Sequence, residues 1–142
     1  MARNRSYWLV KSEPAKYSWE QLVLDGSTYW DGVRNYAARN HLQAMKQGDR
    51  VLYYHSNEGR EVVGIARVVK EHYPDPTSRD DRWMVVDLAP LKPLKRPVGL
   101  AEIKADPELQ DIPLVRQSRL SVMPLERRAF ERILELSGTR LR

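Results

Sequence analysis

The sequence predicts an α+β domain in which short helices flank a small curved sheet or barrel of mainly antiparallel strands. Three observations carry this expectation. Apolar and polar residues alternate in short runs bounded by Gly, Pro, Asn and Asp, the pattern of strands closed by turns. Separate runs of helical period open on capping residues and stop at glycines. The 142 residues leave room for one hydrophobic core, so residues 1–142 are expected to form a single domain.

The elements follow in order. Tyr7, Leu9 and Lys11 alternate with Trp8 and Val10, predicting a strand over 6–11 with apolar bulk on both faces and a central place in the sheet. Ser18-Trp19-Glu20-Gln21 has the form of a capping box and opens a short helix to about residue 24, closed by the Asp25-Gly26 turn. A second helix is expected over 34–46, with Asn35 as its cap, Ala38, Leu42 and Met45 as its core stripe, and Gly48 as its stop. Residues 49–56 alternate so that Val51, Tyr53 and His55 share one face while Leu52, Tyr54 and Ser56 share the other. After a turn at 57–60, the β-branched run 62–69 folds back as a hairpin, and Gly64 within it marks a bulge or the close approach of another group. Residues 71–81 read as a loop and 82–90 as a third long strand that continues extended to 97. A short helix over 99–104, a short strand over 119–122 and a helix over 125–136 ended by Gly138 complete the reading.

Composition narrows the chemistry. Cysteine is absent and the three histidines are scattered, which excludes disulfides, thiolate metal sites and cysteine nucleophiles. The glycines never gather ahead of a helix, so phosphate-loop and dinucleotide fingerprints are missing. No apolar run is long enough to span a membrane and the first residues lack a leader pattern, so a cytoplasmic protein is expected. The net charge of +5 is spread along the chain, suggesting a folded basic face for an anionic partner. Every aromatic residue except Phe130 lies between Tyr7 and Trp83, which is where a planar ligand could be stacked.

Trp30 precedes the Asp31-Gly32 turn and a helix, a position from which a large ring can wall a cleft or anchor a core. Asn35, Arg39 and Asn40 follow with amide and guanidinium edges suited to a base or phosphate, although Arg39 could equally pair with Asp31 or Glu13. Lys11-Ser12-Glu13 and His55-Ser56-Asn57 close two strands, and if those ends are adjacent their polar groups gather beside Trp30. Adjacent strand residues face opposite ways, so Ser56 and His55 cannot form a nucleophile–base pair. His72, Asp75, Asp80 and Asp81 form a carboxylate-rich cluster that Arg79 and Arg82 interrupt, which reads as a solvated turn; no metal and no cofactor are expected. Arg127, Arg128 and Arg132 read as the wet face of the last helix.

Several ordered blocks then carry a resemblance. Tyr7-Trp8-Leu9-Val10-Lys11-Ser12-Glu13-Pro14, Trp30-Asp31-Gly32-Val33-Arg34-Asn35-Tyr36 with Arg39-Asn40, Met45-Lys46 with Gly48-Asp49, and Tyr54-His55-Ser56-Asn57 resemble the signature of the EVE domain. Gly64-Ile65-Ala66, Val69-Lys70-Glu71 with Tyr73-Pro74-Asp75, and Arg119-Leu120-Ser121-Val122 with Pro124-Leu125 continue it over almost the whole chain. The resemblance implies a PUA-like pseudo-barrel similar to YTH domains and a noncatalytic reader of modified bases in DNA or RNA. The longer N-terminal extension and loop of eukaryotic members are missing, which implies a minimal, bacterial-type version.

By position, the Lys-Ser step and the cage Trp of YTH domains look like Lys11-Ser12 and Trp30. The implied base pocket comprises Lys11, Ser12, Trp30, Asn35, Tyr54, His55, Ser56 and Trp83, with Tyr54, Tyr73 and Trp83 as alternatives for its second wall. Arg34, Arg39 and Lys46, and more remotely Lys92, Lys95 and Arg96, are expected to hold the backbone. The partner is DNA or RNA carrying a modified base, such as a methylated or hydroxymethylated cytosine or a methylated adenine. The alternative is an enzyme or small-metabolite binder acting on a nucleoside-like heterocycle, with His55 and Glu13 as its acid–base groups.

Overall fold

The computed structural model describes residues 5–141. Strand β1 (Tyr7–Ser12) lies between β3 (Arg50–His55), to which it is parallel, and the antiparallel β6 (Val122–Leu125). Trp8, Leu9 and Val10 are all buried, as the doubly apolar pattern of a central strand requires. The parallel pairing needs a crossover, which runs through α1 (Trp19–Asp25), β2 (Thr28–Tyr29) and α2 (Tyr36–Ala44). The long antiparallel pair β4 (Glu61–Pro74) and β5 (Met84–Gly99) completes a six-stranded sheet of order β2-β5-β4-β3-β1-β6, which is not closed. The chain ends through α3 (Leu100–Ala105), a 3-10 turn at Pro107–Leu109, α4 (Pro113–Arg116) and, after β6, α5 (Arg127–Ser137). The molecule is thus an α+β fold with short helices flanking a curved, mainly antiparallel sheet.

Bulges curve this sheet. The register of β4 against β5 shifts four times, at Val62/Gly64, Ile65/Ala66, Val68/Lys70 and Lys70/Tyr73, and each shift bends and twists the pair. Gly64 meets both expectations held for it, because a Cβ built there would lie 2.5 Å from Trp19 Cε2 of the helix packed on top. The expected loop at 71–81 is shorter than predicted: β4 runs on to Pro74. Strand β5 accommodates Pro90, Pro93 and Pro97 because its other neighbour, β2, pairs at Leu88 and Asp87, leaving later residues on an outer edge where a missing N–H costs no ladder bond.

The caps hold the crossover. Ser18 Oγ accepts from Gln21 N at 3.0 Å and Asn35 Oδ1 accepts from Ala38 N at 3.0 Å, so both helices start on a satisfied donor. The expected strand at 119–122 lies instead at Val122–Leu125, where Leu125 pairs with Tyr7, so α5 begins later than predicted, after Glu126. Asp49 is fully buried and accepts from Ser6 N (3.2 Å), Trp8 Nε1 (3.0 Å) and Lys46 N (2.9 Å), which joins β1, the end of α2 and the start of β3. No helix among the described residues is long and apolar enough to cross a membrane.

Candidate functional site

A cavity of about 400 Å³ opens at the C-terminal end of β1, lined by Lys11, Ser12, Lys16, Tyr17, Trp30, Asp31, Gly32, Val33 and Ser121. Its aromatic wall is fixed from behind. Trp30 N donates to Val86 O at 2.8 Å, and the indole meets Tyr53 and Tyr17 edge-on with centroids 5.5 and 6.4 Å away. The Tyr53 hydroxyl donates to Tyr17 O at 2.6 Å, locking the two tyrosines together. Trp30 is 8% exposed, so it is both a core anchor and a cavity wall, the two alternatives the sequence left open.

The rim is held by a buried carboxylate. Gly32 takes φ +76°, a left-handed conformation that glycine tolerates, and its N–H donates to Asp75 Oδ2 at 3.3 Å. The same carboxylate accepts from Arg34 at 3.1 Å and from the Thr77 N–H and hydroxyl at 2.7 and 2.6 Å. Burial pushes the Asp75 carboxyl up, but these hydrogen bonds outweigh it and hold the group below the usual carboxylate range. Asp75 is therefore the clamp of the 75–83 loop and not part of a solvated turn, while Asp80 pairs with Arg82.

The polar groups around the cavity are partly committed to neighbours. Lys11 Nζ donates to Ser118 O at 2.8 Å, and burial lowers its pKa. The Tyr17 hydroxyl donates to Asp25 at 2.7 Å; burial first, and then the Asp25 carboxylate, push its pKa up to about 12, so it stays neutral. With the hydroxyls of Ser12 and Ser121, the cavity offers donors and acceptors around one aromatic face, and its volume falls within the usual range of ligand pockets.

Of the residues expected to form the pocket, the structure brings together Lys11, Ser12 and Trp30. Tyr54 is buried on the other face of β3, because strand alternation gives the Trp30 side to Tyr53 and His55. His55 packs edge-on against Tyr53 and its Nε2 accepts from Trp19 N at 3.0 Å, so it supports the start of α1. Ser56 lies beside Ser12 through its backbone, with Ser56 N donating to Ser12 O at 3.0 Å, but its side chain does not line the cavity. Asn35 spends its carbonyl oxygen on the helix cap. Trp83 stacks on Tyr36 with centroids 5.3 Å apart, outside the cavity lining, and Tyr73 donates its hydroxyl to Asp87.

The cations also separate. Arg34 is committed to Asp75, and Arg39 bonds Asn40 Oδ1 and the Arg82 carbonyl in place of the anticipated Asp31 or Glu13. Lys46 follows α2 at the end opposite Asn35, about 15 Å along the helix axis at 1.5 Å per residue. Lys92 and Arg96 reach the Arg140 and Leu136 carbonyls, and Lys95 N bonds Thr139, so this stretch is tied to the C-terminal segment. Glu13 meets Lys16 at 3.2 Å and Asn57 at 3.3 Å, and no hydrogen bond joins it to His55 among the described residues.

Lys16, Tyr17, Asp31, Gly32, Val33 and Ser121 line the cavity without having been expected there. Ser121 arrives because β6 extends the sheet beside β1, with Lys11 N donating to Ser121 O at 2.9 Å. The alternation of β3 did contain the signal for Tyr53, since it shares a face with His55.

Human thymocyte nuclear protein 1 is 36% identical over 165 residues, covering 92% of this chain and 73% of that protein. A solved protein from Rhodopseudomonas palustris superposes with a TM-score of 0.89 at 49% identity, covering 94% of this chain and 93% of that one. The human THYN1 protein, solved in complex with 5-methylcytosine containing DNA, superposes with a TM-score of 0.88 at 36% identity over 95% of this chain and 99% of that one. A YTH domain from Zygosaccharomyces rouxii, solved with N6-methyladenosine RNA, shares the fold at a TM-score of 0.62 and 16% identity, covering 96% of this chain and 88% of that one. The defining pattern of the EVE domain matches residues 6–136, and the protein belongs to the EVE domain family.

Proposed function

We propose that the protein is a noncatalytic nucleic-acid-binding module that captures a modified base in the Trp30 cavity. The observation that carries this reading is the meeting of Trp30, Lys11 and Ser12 around one cavity with Tyr17 and Ser121. The relative solved with 5-methylcytosine DNA supports it, being alike over nearly the whole chain. An unstacked base would lie on the indole, its edge meeting the two serine hydroxyls and the Lys11 ammonium. Lys16 on the cavity lining would meet the phosphate of the captured nucleotide, Arg39 on α2 a phosphate further along, and Lys46 only a longer strand.

Magnitudes set what the pocket must do. Stacking on one aromatic ring supplies roughly 1–3 kcal/mol per base whatever its modification. Burying one methyl adds about 0.8 kcal/mol, a preference of about fourfold. A larger preference requires that the unmodified base leave a polar group of the cavity unpaired. The acid–base alternative lacks its pair, because His55 Nε2 is occupied by Trp19 N and Glu13 by Lys16 and Asn57.

The test is a titration of the protein against oligonucleotides identical except for one central base, carrying methylated cytosine, hydroxymethylated cytosine, methylated adenine or no modification, as DNA and as RNA. The reading predicts tighter binding to one modified strand. Equal affinity across the panel, or turnover of any nucleoside, contradicts it. Displacement of every strand by a free modified nucleoside, with no strand bound more tightly than that nucleoside, would favour the small-metabolite reading.

A further inference from the structure

Outside the cavity, a second aromatic cluster lies on the surface. Tyr36, the first residue of α2, is 50% exposed and stacks with Trp83 at 5.3 Å and an interplanar angle of 30°. The Arg39 guanidinium lies 5.0 Å from the centroid of Tyr36, and Arg34 and Arg82 lie 5.6 and 6.0 Å from that of Trp83. The Tyr36 hydroxyl accepts from Arg82 at 2.7 Å. The rings and guanidinium groups thus form one continuous cation–π array.

A core cluster would bury its largest ring, and a solvated turn would not spend two aromatic rings on water. The charges here are unequal in a useful way. Arg34 and Arg82 are paired with Asp75 and Asp80, at 3.1 and 2.5 Å, whereas Arg39 contacts the neutral oxygens of Asn40 and Arg82. Its positive charge therefore remains available to a phosphate.

The array is coupled to the cavity by both chain and hydrogen bonds. Asp75 Oδ2 accepts from Gly32 on the cavity rim and from Arg34 in the array. Trp83 stands three residues before Val86, whose carbonyl holds Trp30, so at most about 11 Å of extended chain separates Trp83 from that anchor.

The geometry points to a second nucleotide subsite: Tyr36 and Trp83 form a shelf that stacks the base next to the one held in the cavity, with Arg39 at its phosphate. This rests on the nucleic-acid reading above and adds to it a strand-binding function that is blind to the modification. Base–aromatic and base–guanidinium stacking tolerate any sequence, because every base has a π-face.

The test uses the whole protein, Trp83→Leu, Tyr36→Ala and Trp30→Leu, with a single-stranded oligodeoxynucleotide carrying one central 5-methylcytosine and its unmodified twin. Near-ultraviolet circular dichroism checks each fold, and Tyr36→Ala carries the test if Trp83→Leu does not fold. The shelf predicts that Trp83→Leu and Tyr36→Ala weaken both strands by the same factor, about tenfold, leaving the ratio between them at its wild-type value. Trp30→Leu should instead bring that ratio towards one. Unchanged strand affinity in both folded shelf variants overturns the proposal, as does a loss confined to the modified strand or a wild-type protein that binds neither. A wild-type ratio of one combined with weaker binding in the shelf variants would leave the shelf standing and remove the cavity reading for this base.

Discussion

At the residue scale, Gly64 shows how one missing Cβ decides where an aromatic cluster can sit. The Trp19 ring lies where that Cβ would be, and Trp19 packs against Tyr53, which in turn packs against Trp30. Gly64→Ala must displace a buried indole and not the end of a flexible chain. It is expected to cost about 1–3 kcal/mol in urea unfolding; a change below about 0.5 kcal/mol would show that the ring can move aside. His55 gives a pH prediction. Burial lowers its pKa, only partly offset by Glu20 and Glu61, while the unfolded chain titrates near 6.5. Below that pH the unfolded chain binds a proton that the folded one refuses, so stability falls as pH drops from about 6.5 towards the folded value. His55→Gln should flatten this part of the curve, and an identical curve would remove His55 as the cause.

The same residues show what sequence could tell. Trp30 was legible because an aromatic ahead of an Asp-Gly turn and a helix cap has few places to go. Tyr17, the other aromatic residue on the cavity lining, and Tyr53 behind Trp30 were not, because their places depend on which element covers each strand face. Alternation separates Tyr53 from Tyr54 but cannot say on which side Trp30 lies.

At the element scale, the caps and turn glycines were readable because their chemistry is local. The Asn35 side chain bonds Ala38 N three residues on, an arrangement any short window contains. Asn35→Ala should cost about 1 kcal/mol in thermal or urea unfolding, and Asn35→Ser should recover most of it. If Asn35→Ser restores stability but lowers strand affinity tenfold, the side chain touches the base after all. Elements as short as β2, α4 and the 3-10 turn were invisible, since two to four residues show no period. The extended course of β5 through its prolines was readable, but why the strand tolerates them was not: β2 ends beside Asp87 and Leu88. Edge position is a tertiary property.

At the scale of the whole molecule, the net charge of +5 overstates the basic surface. On α5, Arg128 and Arg132 are tied to Glu108, Glu135 and Asp106, so that helix contributes little field. The cations near the cavity are few, and strand binding should depend on salt accordingly. A plot of log affinity against log salt is expected to have a slope of about −2, from two or three neutralised phosphates on a single strand. A slope steeper than about −5 would indicate a broad basic face in place of a few local phosphate contacts.

The central claim is that modification is read at Trp30. The most direct measurement is the ratio of affinities for the preferred modified strand and its unmodified twin, in wild type and in Trp30→Leu, which keeps the position apolar but removes the π-face and whose fold is checked by near-ultraviolet circular dichroism. A wild-type ratio of about fourfold or more that falls to near one in the folded variant is the predicted result. A ratio that survives Trp30→Leu unchanged would contradict it and move the recognition site elsewhere.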